Sequence, residues 1–349
     1  MRKYSLIIQG PIISNGITGA SYLEYDLNKK KIPKTVEYNC IPNINRILSE
    51  FSYLFEHVIL STWESESIEI NQIQTSNNFQ ILKSKDTTQS YINQAHPNGQ
   101  IGLLKQFLSI QKGAEFLNGL ADDSYIIKIR TDQFVNLKLL IEEHQNQGEF
   151  DRENKISISY FAKNSLADFY FVATPSKMLD FCSSILQIPQ YKEINLAYTS
   201  VHLAIPCAYY FYHEKIDEKV VYKYIFLKRL MPTFQKYNLT FANCKSAYEL
   251  VEFIDQHFIS FSKNIIFDTE WRGEKIIENS VFDDQLVKFN EIEPVTFTPS
   301  NLFLFLSSKL YFKQNRSKLF SKFLSLLQLL LIDRFSFYRK LFIQPIQSK

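Results

Sequence analysis

Glycine is scarce in this chain, which has only 9 glycines among its 349 residues. Phosphate-binding loops of the P-loop and dinucleotide-binding types need several closely spaced glycines, because the backbone itself must approach the phosphate. The composition therefore nearly excludes a glycine-rich phosphate loop.

Cysteine is also rare, and the four cysteines lie far apart without a Cys-x-x-Cys or Cys/His spacing. Such a pattern indicates neither a zinc site nor a disulfide framework, and it is typical of a reducing compartment. Long apolar runs are missing as well: no uninterrupted stretch reaches the ~18 residues of a membrane-spanning helix. The apolar run near the N-terminus is too short for a signal peptide. We therefore expect a cytoplasmic protein.

Charge is distributed unevenly along the chain. The net charge is only +3, yet residues 300–349 hold nine Lys or Arg and a single acid. Because apolar residues are interleaved with these cations, residues 296–349 predict a basic amphipathic helical tail on an anionic membrane surface. A helical pair packed on the rest of the protein is the competing interpretation. No nucleic-acid-binding motif accompanies the charge, so no nucleic-acid partner is expected.

Strands and helices alternate through the first 186 residues. The apolar patterns predict strands at residues 4–8, 57–64, 79–84, 124–132, 156–161 and 169–173, and helices at 44–54, 101–117 and 176–186. This order predicts an α/β fold with a mostly parallel sheet flanked by helices. Further helices are predicted near residues 201–212 and 247–258. We expect one domain over residues 1–295 with a helical C-terminal part.

Polar clusters follow three of the predicted strands. They are Gln9-Gly10-Pro11, Ser61-Thr62-Trp63-Glu64 and Arg130-Thr131-Asp132. Ligands of open α/β sheets bind at the carboxyl ends of parallel strands, so neighbouring strands would turn these clusters toward one crevice.

Each cluster suggests a contact with a nucleotide diphosphate. Backbone groups of residues 9–11, together with Thr62 and the Glu64 carboxylate, suit a base and a ribose. Arg130 suits bidentate contacts to phosphate, and Asp132 suits a Mg²⁺ or Mn²⁺ ion that bridges to the diphosphate. The same residues also have structural interpretations: a turn, a strand end with a packed aromatic, and an ion pair between Arg130 and Asp132.

Taken together, the three segments resemble the signatures of the WavE lipopolysaccharide-synthesis family. Residues 6–12 (LIIQGPI) resemble its opening strand, residues 58–64 (VILSTWE) its second signature, and residues 127–132 (IKIRTD) its most recognisable one. The family's Asn-x-x-Arg-Gln helix resembles the segment that begins at Lys105-Gln106, with Lys105 where Arg is usual.

The resemblance covers residues 4–182 and implies a GT-A-like glycosyltransferase. Such an enzyme would move a sugar from a nucleotide-sugar donor to a lipopolysaccharide-core or capsular glycan, with Mn²⁺ or Mg²⁺ as cofactor. It also implies that Lys105 and Gln106 help to bind the donor. A lipid-linked acceptor would suit a tail bound to the inner-membrane surface.

An inverting transferase needs a carboxylate base to take the proton of the acceptor hydroxyl. Asp168 is our first candidate, because residues 166–171 resemble a later family element with a fixed Asp. Glu270, in the polar segment 268–273 beside Trp271, is the second. A retaining outcome stays open.

Two departures from the family pattern leave rival functions open. Lys105 replaces the usual Arg, and Tyr198-Thr199-Ser200 stands near the place where the family has Pro-Glu. The rivals are a transferase of phospho-sugars or polyol phosphates, and a catalytically inactive glycan-binding scaffold of the same fold.

Overall fold

The computed structural model describes residues 3–17, 35–66, 69–88, 101–120, 124–159, 168–188, 201–214 and 252–275. The chain divides into two compact units. The first comprises Met1–Pro189 and His257–Lys288, and the second comprises Gln190–Gln256 and Phe289–Lys349. The predicted tail and the predicted boundary after residue 295 lie outside the described residues, so both stay predictions.

The described strands all belong to the first unit. They are β1 (Tyr4–Gln9), β2 (Ile13–Ile17), β3 (Thr35–Asn39), β4 (Val58–Trp63), β5 (Phe79–Ser84), β6 (Tyr125–Arg130), β7 (Gln133–Phe134), β8 (Ile156–Ile158), β9 (Phe171–Ala173), β10 (Phe258–Ser260), β11 (Glu270–Trp271) and β12 (Glu274–Lys275). The helices are α1 (Ile41–Phe51), α2 (Ile101–Gly119), α3 (Leu137–Asn146), α4 (Glu149–Asn154), α5 (Pro175–Leu186), α6 (Val201–His213) and α7 (Lys263–Asp268), of which α6 belongs to the second unit. Short 3-10 turns cover Ser52–Leu54 and Glu69–Gln72.

The central sheet has seven strands in the order β10-β8-β9-β6-β1-β4-β5. Strands β6, β1, β4 and β5 pair in parallel, as do β10 and β8, whereas β9 runs antiparallel to both of its neighbours. This confirms the predicted α/β fold with a mostly parallel sheet flanked by helices. The described residues form two further, smaller antiparallel sheets. One has the strand order β12-β11-β7, and the other consists of β2 and β3.

Strands β1 and β4 are buried along their whole length, which is why their sequences are continuous apolar runs. Successive side chains of a strand point to opposite faces of the sheet. Leu6 and Ile8 join the core formed with helices α1 and α3. Ile7 faces α2, where a Cβ placed on Gly113 would lie 3.0 Å from Ile7 Cδ1.

The predicted element bounds hold best where the apolar pattern is long. The helix predicted over residues 101–117, with Gly119 at its end, is observed as α2. The helix predicted over residues 247–258 is wrong at its C-terminal end, because Phe258 begins β10. Phe258 is buried and pairs with Ile156 of β8, so sheet pairing overrides the local apolar pattern.

In the second unit, helix α6 matches the helix predicted near residues 201–212. Its Tyr210 meets Phe253 edge to face, with ring centroids 5.2 Å apart. Within the described ranges, no helix combines the length and the apolar character needed to cross a bilayer.

Two glycines of α2 provide a matched test of helix packing on β1. Gly102 has nothing within 4 Å of an added Cβ, whereas Gly113 lies against Ile7. We expect Gly102→Ala to raise the free energy of unfolding by about 0.5–1 kcal/mol, the helix-propensity gain. Gly113→Ala should forfeit that gain, because Ile7 must move. Urea denaturation measures both, and equal gains would contradict the close packing.

Candidate active site

The three polar clusters lie at neighbouring strand ends. Gln9, the last residue of β1, pairs with Ser61 of β4 on one side and with Arg130 of β6 on the other. From β1 the chain first builds β4 and β5 on one side and then crosses to β6 on the opposite side. The gap between β1 and β6 is therefore the topological switch point, where open α/β sheets bind their ligands.

Gly10 makes the turn that brings the first cluster against the third. Its φ is 138°, in the region that favours glycine. A Cβ at Gly10 would lie 2.6 Å from Thr131 Oγ1. That hydroxyl donates to Pro11 O at 2.8 Å, and Thr131 N donates to Gln9 O at 2.9 Å. The two turns are thus locked together by backbone and side-chain contacts.

Asp132 is the centre of the cluster and is only 2% exposed. Arg130 binds it bidentately, with Nε at 2.9 Å from Oδ1 and Nη2 at 3.1 Å from Oδ2. Oδ2 also accepts from Ser14 Oγ at 2.8 Å and from Trp271 Nε1 at 3.1 Å. A second guanidinium follows, with Arg272 Nε 3.2 Å from Oδ2. One carboxylate therefore joins β2, the end of β6 and the β11–β12 segment.

Electrostatics favour the ionised form of this carboxylate. Burial by itself would raise the pKa of Asp132, but the Arg130 guanidinium and the hydrogen bonds from Arg130 and Ser14 outweigh it and hold that pKa well below its usual range. Burial likewise opposes the charge on Arg130, yet Asp132 raises the net pKa of that guanidinium. Burial lowers the pKa of Arg272 despite the same neighbour.

Arg272 reaches Asp132 from a strained position. It and Gly273 form the two-residue loop of the β11–β12 hairpin, with φ values of 53° and 78°. Positive φ at both central residues defines the type I′ turn, for which Asn-Gly is the usual pair. A left-handed conformation costs a side chain such as Arg about 1–2 kcal/mol. Arg272 N donates to Asp132 O at 2.8 Å, so the contact with Asp132 holds the turn from both backbone and side chain.

Asn43 of helix α1 fixes the turn that carries Asp132. Its Nδ2 donates to Thr131 O and to Gln133 O, each at 2.8 Å. A single buried amide thereby holds the carbonyls on both sides of Asp132. The position of the carboxylate is set by the backbone as well as by its own partners.

Asp168 lies at the rim of the same cluster, just before β9. Its Oδ2 is 3.5 Å from Arg130 Nη1, and the side chain is 13% exposed. Arg130 is 22% exposed and is the more open of the two arginines that contact Asp132. Gln106 Nε2 donates to Asp168 O at 3.1 Å, which brings helix α2 to this rim. Two of the predicted site residues, Asp168 and Gln106, are thus directly connected.

Other predicted site residues have different surroundings. Lys105 pairs with Asp86, with 2.7 Å between Nζ and Oδ2. Glu270 accepts from Arg46 Nη1 through both oxygens at 3.2 Å. The next two residues, Trp271 and Arg272, do contact Asp132. Glu64 is exposed at the end of β4.

Thr62 lies at the same end of β4 as Glu64. It is fully buried, and its hydroxyl has no hydrogen-bond partner among the residues that the structure describes. A buried hydroxyl without a partner is costly, and the role of Thr62 in donor binding stays a prediction.

The metal role predicted for Asp132 does not fit this environment. Both carboxylate oxygens already accept hydrogen bonds, and two guanidinium groups stand beside them. A divalent cation would have to displace these donors and lie next to two positive charges. Across the described segments, no three His, Cys, Asp or Glu side chains are grouped to hold a metal.

Sequence reasoning missed three members of the cluster: Ser14, Asn43 and Arg272. Ser14 lies in β2 and Asn43 in helix α1, and neither belongs to a recognised motif. Arg272 lies 140 positions after Asp132, and only the Arg-Gly pair between two short polar strands marks it. The hairpin reaches the site because β11 pairs with β7, which directly follows Asp132.

Comparisons with known proteins leave the family open. No protein-family model matches the chain, and no curated protein matches it in sequence. Solved structures similar to it include HddC from Yersinia pseudotuberculosis complexed with GMP-PN (10% identity, TM-score 0.28, 52% of this chain and 80% of that chain). A mannose-1-phosphate geranyltransferase from Thermus thermophilus (10%, 0.31, 59% and 67%) and a 2-C-methyl-D-erythritol 4-phosphate cytidylyltransferase from Francisella tularensis (11%, 0.28, 61% and 87%) are further examples. Such low TM-scores assign neither a family nor a ligand, so the resemblance to the WavE family stays a prediction.

The cluster predicts a large stability effect at Asp132. Asp132→Asn leaves two largely buried guanidinium groups without their carboxylate, so we expect a loss of about 3–5 kcal/mol in the free energy of unfolding. The control is Asp268→Asn, which removes an exposed carboxylate 3.7 Å from Lys275 and should cost less than about 1 kcal/mol. Urea denaturation at neutral pH compares the two.

The stability difference between wild type and Asp132→Asn should depend on pH. The pKa of Asp132 is lower in the folded state than in the unfolded state. Its ionised carboxylate therefore contributes fully to the free energy of unfolding above the unfolded pKa of about 4, and this contribution is lost as the pH falls below that value. The stability difference between wild type and Asp132→Asn should therefore shrink on acidification. A difference independent of pH, or losses equal to those of Asp268→Asn, would contradict the assigned network.

Proposed function

We propose that this chain is a glycosyltransferase that uses a nucleotide-sugar donor. The observation that carries the proposal is the position of Arg130 at the β1–β6 switch point, beside the two other strand-end clusters. The three motifs occur in an order that resembles the WavE family, and this supports the same proposed function.

Arg130 is the proposed contact to the diphosphate. Two of its nitrogens are held by Asp132, which fixes the plane of the guanidinium. Among the described residues, its third nitrogen, Nη1, has the single 3.5 Å contact to Asp168, and it is the atom that a phosphate oxygen would engage. A guanidinium oriented in advance stabilises the charge that develops when the diphosphate leaves.

Asp168 is the proposed base. At 13% exposure it is buried enough to be oriented and open enough to meet an acceptor, whereas Asp132 is enclosed. In an inverting transfer, the acceptor oxygen bonds to the anomeric carbon while the bond from that carbon to the diphosphate oxygen breaks. The hydroxyl proton passes to Asp168, and the nucleoside diphosphate leaves with the electron pair.

Three finer parts of the proposal rest on the resemblance and the sequence. They are a divalent cation at the diphosphate, a lipopolysaccharide-core or capsular acceptor, and the inner-membrane surface as the place of reaction. Because Asp132 is occupied by its own donors, a cation would take its ligands from the donor diphosphate and from residues other than Asp132.

A panel of nucleotide sugars tests the proposal directly. We expect at least one to raise the thermal midpoint of the full chain, because a ligand that binds only the folded state stabilises it. The panel is run with and without Mn²⁺, so that a metal requirement appears as a difference. Binding of no nucleotide would sink the proposal.

The product separates the rival functions. Glycosyl transfer releases a nucleoside diphosphate, whereas transfer of a phospho-sugar or polyol phosphate releases a nucleoside monophosphate. A scaffold binds glycan and releases neither. Anion-exchange chromatography of the reaction mixture distinguishes the three.

Arg130→Lys tests the diphosphate contact. The variant keeps a positive charge but loses the bidentate geometry, so we expect nucleoside diphosphate to bind about 10- to 100-fold more weakly. The matching nucleoside, which has no phosphate, should bind equally well to both proteins. Isothermal titration calorimetry measures this, with Arg152→Lys on helix α4 as the control. Parallel losses for nucleoside and diphosphate would place Arg130 outside the diphosphate site.

Asp168→Asn tests the base. The amide is close in size but cannot accept the proton, so kcat should fall about 10²–10⁴-fold while the donor affinity is retained. Asp151→Asn is the matched control, because it removes a carboxylate of helix α4 that pairs with Lys155. A wild-type kcat in the Asp168 variant would transfer the role to another carboxylate, with Glu270 as the next candidate.

A further inference from the structure

Lys128 is a fully buried lysine that the mechanism above does not use. It lies in the interior of β6, and none of its surface is exposed. Its Nζ donates to Asp168 O at 2.6 Å and to Phe169 O at 3.4 Å. It also lies 4.4 Å from the ring centroid of Phe171, its direct partner in the β6–β9 pairing. The ammonium group thus ties β6 to the segment that carries Asp168.

The Asp168 carbonyl is held from a second side. Gln106 Nε2 of helix α2 donates to the same oxygen at 3.1 Å. A carbonyl oxygen has two lone pairs, and here two different elements occupy them. The two contacts involve the main chain of Asp168, so they set where its carboxylate stands relative to Arg130.

Burying a lysine at this position costs free energy, because its charged form loses its hydration. Burial is the largest effect and lowers the pKa of Lys128 to about 7, with the Asp168 carboxylate opposing the shift. Methionine has a similar length and no charge to desolvate, so it would fill the same space at lower cost. The presence of a lysine here is therefore best explained by the two carbonyl groups to which its amino group donates.

We propose that Lys128, together with Gln106, is a positioning residue that fixes the main chain at Asp168 and so aims the Asp168 carboxylate at the bound substrate. The proposal rests on the proposed function insofar as Asp168 is the base. The restraint on the main chain is a physical claim that is measured without any substrate.

Lys128→Met is the test, and Lys112→Met is its matched control. Lys112 lies on helix α2 and pairs with Glu115 at the surface, with 46% of its side chain exposed. In Lys128→Met we expect the midpoint of urea denaturation to stay level or rise, because a buried charge is removed. Hydrogen exchange of the segment from Asp168 to Ala173 should increase, while that of β1 and β4 stays unchanged. Lys112→Met should change neither exchange rate.

The kinetic readout separates positioning from binding. With the donor found in the nucleotide-sugar panel, kcat of Lys128→Met should fall at least 10-fold, and KM for the donor should change less than 3-fold. Gln106→Leu should also lower kcat with little change in KM for the donor, but the fall in kcat should be smaller. A purely structural role would instead lower stability and activity together.

The outcomes are separable. Unchanged exchange between Asp168 and Ala173 overturns the inference whether or not the chain is an enzyme. Increased exchange with a wild-type kcat also overturns it, because Asp168 would then need no positioning. Increased exchange in a chain that binds no nucleotide refutes the proposed function while supporting the restraint.

The pH dependence of stability offers an independent check. Because the folded pKa of Lys128 lies near 7 and the unfolded value near 10.5, wild-type stability should gain from deprotonation as the pH rises between them. That gain is absent in Lys128→Met, so the advantage of the variant should be largest at or below pH 7 and should narrow toward pH 10.5. The charged and titratable groups that act on Lys128 are Asp168, Arg130, Asp132 and Cys182.

Discussion

The ion cluster around Asp132 is the interaction on which the rest of the site depends. One carboxylate, 2% exposed, forms ion pairs with both Arg130 and Arg272 and accepts hydrogen bonds from Ser14 and Trp271. Without it, β2, the end of β6 and the β11–β12 hairpin would each keep a buried polar group that has lost its carboxylate partner. Replacing Asp132 is therefore a test of folding first, and it cannot isolate a catalytic role.

The central strands β1, β4 and β6 were predictable because they are buried on both faces and so appear as largely apolar runs. The three strand-end clusters were also predictable as a group, because parallel neighbours place their carboxyl ends together. The partners of Asp132 were not. Arg272 lies far along the chain, on a hairpin whose strands are only two residues long. Its turn has Arg-Gly in place of the usual Asn-Gly pair.

Lys128 shows a different limit of sequence reasoning. The apolar residues around Lys128 predict only that it belongs to strand β6. They give no information about its contact with the Asp168 carbonyl, forty positions later in the chain. The predicted metal role of Asp132 failed to fit for a related reason. A carboxylate at a strand end suits a cation or a guanidinium equally well, and only the surrounding donors decide between them.

The few glycines of this chain are concentrated where the cluster forms. Gly10 makes room for Thr131, Gly16 lies where a Cβ would stand 2.6 Å from Arg272 Nη1, and Gly273 completes the turn that presents Arg272. Of the seven glycines that the structure describes, three thus lie at the same cluster of charged side chains. We therefore expect any side chain at these three positions to disturb the charge cluster, whereas Ile, Leu and Val can replace one another in the apolar strands at small cost.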